Sequence, residues 1–111
     1  LKFASTLQYV LPGVPCVFYG DEAGVQGYED PLNRVTYPWG REDEELLSHY
    51  RALGAFREKY ADYLTGETHF VNDGDALIIE RECEKGKLRL VCNNLTACVF
   101  VNDERVLEIN A

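Results

Sequence analysis

The chain has 111 residues, 46% of them hydrophobic and 27% charged, a globular balance in which no apolar run is long enough to cross a bilayer as a helix. Eleven Lys and Arg stand against nineteen Asp and Glu, a net charge of −8, which argues against a surface built to neutralise phosphates. Neither a nucleic acid nor a membrane is therefore expected as a partner, and the length allows one modest domain or two small pieces. With no Met anywhere, Leu1 in first place and no basic stretch leading into an apolar one, the chain is expected to be a piece of a longer protein without a targeting segment. Cys16, Cys83, Cys92 and Cys98 form no C-x-x-C pair and fit no metal template, and His49 and His69 lie far from them in sequence. The cysteines read as buried small hydrophobes in a reducing compartment, the cytoplasm, with no metal or cofactor.

Phe3, Leu7, Val10 and Leu11 recur at helical spacing until Pro12-Gly13, so residues 1–11 read as the tail of a helix. Val14 to Tyr19 is a short apolar run rich in β-branched and aromatic residues between glycines, the pattern of a parallel strand covered on both faces. From Gly20 to Arg41 the periodicity vanishes and Gly and Pro punctuate a long loop, whose Tyr28, Tyr37 and Trp39 argue for order. Glu42-Asp43-Glu44-Glu45 then fits the first turn of a helix, where carboxylates complement the macrodipole, rather than a cation site. That helix, over 43–60, buries Leu46, Tyr50, Leu53, Phe56 and Tyr60 on one face and leaves His49 off the stripe, solvated.

After Leu64-Thr65-Gly66 the period becomes two. Short alternating runs at 67–72, 75–83, 88–93, 97–101 and 105–109 are separated by turn residues such as Asn72-Asp73-Gly74 and Glu84-Lys85-Gly86. About five antiparallel strands are expected, arranged as a meander.

No phosphate-cradling glycine loop and no Ser–His–Asp or Cys–His arrangement is present, and Asn94-Leu95-Thr96 is a glycosylation pattern without a secretion signal behind it. The chemistry-bearing cluster is Asp21-Glu22 at the end of the buried strand, followed by Asp30, Asn33, Arg34, Tyr37 and Trp39. Ligands of parallel α/β folds sit at that end of the strands, and carboxylates, Arg and aromatic rings together suit neutral sugars. Two readings stay open for each group: Tyr37 and Trp39 against sugar or in the core, Asp21 and Glu22 as ligand contacts or in salt bridges and caps.

Leu11-Pro12-Gly13-Val14-Pro15-Cys16-Val17-Phe18-Tyr19-Gly20-Asp21-Glu22 resembles the segment entering and leaving the eighth barrel strand of the α-amylase family of glycoside hydrolases. Asp30-Pro31-Leu32-Asn33-Arg34-Val35-Thr36-Tyr37-Pro38-Trp39 resembles the following loop in the neopullulanase, cyclomaltodextrinase and maltogenic amylase branch. The resemblance implies an α+β fragment. Residues 1–65 would be the end of a TIM (β/α)8 barrel (helix 7 tail, strand 8, substrate loop and helix 8), and 66–111 an antiparallel β-sheet C-terminal domain.

It also implies a retaining reaction on α-glucosidic bonds in the parent enzyme, with two carboxylates roughly 5 Å apart across the scissile bond. In the family these sit on earlier strands, so no catalytic residue is expected here and the isolated chain is expected to be inactive. Asp30 and Arg34 match positions that hold glycone-side glucose units, which makes a maltooligosaccharide or related α-glucan the implied ligand. Val35-Thr36 departs from the family's usual residue-Pro pattern at that point of the loop. The alternatives are a non-catalytic carbohydrate-binding module and a purely structural β-rich domain. A barrel strand cut from its seven partners leaves its edges and faces uncovered, so residues 1–41 are expected to rearrange, self-associate or pack on the β-rich part.

Overall fold

The structure, a computed structural model, describes residues 1–26, 35–94 and 96–109. Its helices are α1 (Lys2–Val10), α2 (Glu44–Lys59) and α3 (Ala61–Leu64), with a one-turn 3-10 helix at Asp21–Ala23. The strands are β1 (Glu67–Asp73), β2 (Ala76–Cys83), β3 (Gly86–Asn93), β4 (Thr96–Val101) and β5 (Glu104–Ile109). The chain divides into two compact units, one of Leu1–Pro15 with Phe56–Ala111, the other of Cys16–Ala55.

In the first unit the five strands form the expected antiparallel meander, in the order β1-β2-β3-β4-β5. Tight polar turns dictate it, because two residues between successive strands leave no room for a crossover. Gly86 shows why one such turn needs glycine: its φ is +133°, and a Cβ there would collide with the Asn102 side chain. Alternation then sorts the side chains. Phe70, Ile79, Leu90, Val99 and Leu107 are opposite one another in turn across all five strands, and Leu88 with Val101 and Cys92 with Ala97 flank that row. A slip of one residue would turn the buried Ile79, Leu90 and Val99 to the other face, so burial fixes the register of the three central strands.

Val10 of α1, Phe56 of α2, and Tyr63 and Leu64 of α3 share one core with these strand residues, and Phe3, Leu7 and Leu11 pack at its margin. Residues 1–11 thus form the expected helix and pack on the sheet.

One charged side chain enters this core. Arg81 is 2% exposed, on the inward face of β2. Its guanidinium donates to the carbonyl of Val10 (2.7 Å) and to those of Leu64 and Gly66 (3.1 Å for Gly66). Val10 and Leu64 are the last residues of α1 and α3, so the cation sits where two helices leave carbonyls without intrahelical donors and where both dipoles are negative. Burial, and secondarily the nearby Arg57 charge, holds the Arg81 pKa below its ordinary value.

Three expectations are corrected. No strand forms over 14–19: a strand is stabilised by its ladder, no described strand pairs with this segment, and Val14 is left 87% exposed. His49 is 9% exposed rather than solvated, its ring edge-on to that of Tyr50 with centroids 5.6 Å apart, because α2 buries a wider face than the apolar stripe alone. The cysteines are free thiols, but only Cys92 is buried; Cys16, on the segment that lacks its ladder, is exposed.

Candidate functional site

The loop cluster falls in the second unit, where two glycines shape it. Gly20 (φ +93°) opens the 3-10 turn and Gly24 (φ +76°) closes it, both in the left-handed region that residues with a Cβ avoid. The Asp43 amide donates to the Ala23 carbonyl at 2.9 Å and ties this turn to the start of α2. There Asp43 Oδ1 accepts from the amides of Glu45 and Leu46, both at 3.1 Å, which makes it the N-cap. Glu42, ahead of the helix, accepts from the Gly40 amide at 3.0 Å, while Glu44 and Glu45 lie in the first turn of α2, as the helix-start reading expected.

Tyr19 reaches across the loop and donates its hydroxyl to the Val35 carbonyl at 2.7 Å. Tyr37 and Trp39 lie ring against ring, centroids 4.6 Å apart, and Trp39 is 82% exposed. Beside them a cleft of about 400 Å³ is bounded by Val25, Val35, Thr36, Pro38 and Arg41, among others. Desolvation, then the charges of Glu22 and Glu42, raises the Tyr37 pKa above its ordinary value. Tyr37 therefore keeps its phenol neutral to higher pH than an ordinary tyrosine.

Of the residues singled out from sequence, Asp21 and Glu22 lie half-buried in the 3-10 turn, with Glu22 close enough to influence Tyr37. Asp30 and Arg34 lie outside the described residues. Trp39 is exposed in this unit, and packing against a barrel wall is not tested by it. Successive residues of a 3-10 helix are rotated by about 120°, so Asp21 and Glu22 diverge and cannot flank one bond from opposite sides. Among the described residues the arrangement offers aromatic faces, a guanidinium from Arg41 and backbone polar groups, groups that suit hydroxylated ligands, and no paired acid and nucleophile.

No protein-family profile matches the chain. It is 43% identical over 89 residues to an amylopullulanase of Thermoanaerobacter thermohydrosulfuricus, a match covering 78% of this chain and 6% of that protein. It is 29% identical over 99 residues to a cyclomaltodextrinase of Bacillus sp, covering 85% of this chain and 18% of the relative. Among solved structures, maltogenic amylase from S. marinus superposes with a TM-score of 0.75 at 30% identity, over 83% of this chain and 14% of that one. The chain matches the C-terminal region of an α-amylase-family enzyme. A second amylase-family structure agrees: the cyclic α-maltosyl-(1→6)-maltose hydrolase of Arthrobacter globiformis gives a TM-score of 0.72 at 30% identity, over 81% of this chain and 21% of its own. The five-strand antiparallel sheet with its helices corresponds to the C-terminal domain of amylase-family enzymes. This amylase-like segment spans a small fraction of each relative's length.

Proposed function

We propose that the chain is the closing portion of an α-glucan hydrolase that cleaves α-glucosidic bonds with retention, and that it supplies loop and structural elements but no catalytic carboxylate. The observation that carries this reading is the 43% identity to an amylopullulanase, confined to 6% of that protein's length. Residues 1–65 would close a (β/α)8 barrel and 66–111 form the C-terminal β domain. The apolar Val14–Tyr19 segment, in which Val14, Phe18 and Tyr19 are exposed and which lies outside the described sheet, has the composition of a stave awaiting neighbours.

In the whole enzyme, Arg34 would donate a fork of hydrogen bonds to glucose hydroxyls and Asp30 would accept from them, on the glycone side of the cleavage point. Trp39 and Tyr37 would cover an apolar sugar face. The remainder of the barrel is the partner, a maltooligosaccharide or related α-glucan the ligand, and the cytoplasm the place of action. No described helix is long and apolar enough to cross a membrane.

The test compares this chain with its full-length parent. The chain alone is expected to hydrolyse no maltooligosaccharide, while Arg34→Ala in the parent lowers kcat/KM about 10- to 100-fold, the worth of one or two charge-assisted hydrogen bonds. Hydrolysis by the chain alone, or an Arg34→Ala parent indistinguishable from wild type, would refute the assignment. Saturable millimolar binding of maltooligosaccharide by the chain alone would favour a carbohydrate-binding module instead.

A further inference from the structure

The outward face of the sheet carries a cluster that no spacing in the sequence reveals. Glu67 and His69 are two residues apart on β1, hence on one face, and Glu82 of β2 stands directly opposite Glu67 in the ladder. This is the face away from the core, since Ile79 and Arg81 of β2 alternate inward. His69 Nε2 lies 3.5 Å from Glu67 Oε2 and 3.9 Å from Glu82 Oε2, and one ligand atom from each of the three residues falls within 4.8 Å of the others. We propose that Glu67, His69 and Glu82 form a zinc-type divalent-cation site that pins edge strand β1 to β2.

The distances fit that chemistry. Zinc bonds of about 2.0–2.2 Å in tetrahedral arrangement place neighbouring ligand atoms roughly 3.4 Å apart. The Nε2–Glu67 spacing already matches. The rest is within reach of two glutamate side chains with several free torsions, because Glu67 is exposed and Glu82 half-buried. One imidazole with two carboxylates selects a borderline metal over calcium or magnesium, which prefer oxygen shells, and three protein ligands leave a fourth position open.

Charge supplies the independent reason. Two carboxylates directly opposite across a ladder repel each other. Lys87, opposite Glu82 on β3, directs its ammonium to Glu80 at 3.5 Å, so the imidazole is what stands between Glu67 and Glu82. A divalent cation held by all three would bridge them. β1 lies at the sheet edge and is exposed along His69–Asp73, so a bridge to β2 adds a tether to a strand that has a ladder on one side only. Cys83 follows Glu82 on β2 and alternates to the opposite face, so it takes no part.

The test titrates zinc chloride into the metal-stripped full chain near neutral pH by calorimetry, beside His69→Ala and Glu82→Gln. Both are surface changes whose folding is checked by circular dichroism. Wild type should bind one equivalent with a Kd on the order of 10 µM or tighter, and each variant about tenfold more weakly or worse. Zinc should raise the melting temperature of wild type alone. Substituted Co2+ should show visible d–d bands without thiolate charge transfer. Millimolar or weaker binding, unchanged affinity in His69→Ala, or a thiolate band would overturn the proposal.

Discussion

Replacing Arg81 by methionine, close in volume and without polar atoms, tests whether the buried guanidinium holds the two helix ends to the sheet. The loss can be worked from its partners. The carbonyls of Val10 and Leu64 are terminal helix acceptors that would be left buried without donors, at about 1–3 kcal/mol each. The Gly66 carbonyl is only partly buried, so water replaces the third bond and its loss costs little. Against this, removing the cation removes its own desolvation cost and the buried Nε that lacks a partner among the described residues. The acceptors dominate because Arg81 is matched to helix-end carbonyls, and a net destabilisation of about 2–4 kcal/mol is expected. For a chain of this length that corresponds to a melting temperature lower by roughly 10 °C or more. Urea denaturation followed by circular dichroism measures it, and hydrogen exchange should show α1 amides losing protection first. Arg81→Lys, which keeps the charge but not the fork, should fall between the two. A methionine variant as stable as wild type, as found where buried ionic groups give way to apolar ones, would refute the reasoning.

Asp43→Ala removes the cap of α2 and should cost about 0.5–2 kcal/mol, read as a lower urea midpoint, with Asp43→Asn recovering most of it. In the native state Cys16 should alkylate with iodoacetamide far faster than Cys92, whose burial raises its thiol pKa above the ordinary value. Because the fold favours the neutral Cys92 thiol, its contribution is complete below the ordinary thiol pKa of about 8.5 and is lost as pH rises past it. Stability should therefore decline from pH ~8 upward, and Cys92→Ala should flatten that decline.

The β half was legible because each strand's neighbour is its successor. Alternation names the buried face, the turn residues name the hairpins, and no distant partner has to be guessed. The Val14–Tyr19 run misled for the converse reason: its apolar composition suggests a strand between neighbours, and no described strand pairs with it. His49 escaped because periodicity counts apolar residues and is blind to an imidazole packed edge-on against Tyr50. Arg81 carried a readable signal, a basic residue in phase with Ile79 on the inward face, but only coordinates reveal what it meets. The Glu67–His69–Glu82 cluster needed register, since Glu67 and Glu82 come together only when the first hairpin closes. Asp30 and Arg34 rest on motif resemblance alone, as they lie outside the described residues.

The hydrogen bond from Arg81 to Val10 joins positions 71 apart in sequence, whereas every hairpin closes over a handful of residues. Closing short loops is entropically cheap and fast, so the meander can zip up strand by strand before α1 docks. Refolding should then be biphasic in its probes, with ladder formation leading and the tertiary signal around Tyr63 trailing. Substitutions at Arg81 would slow only the second step. A chain arranged this way completes its most local architecture first and uses a contact between distant positions as the final latch.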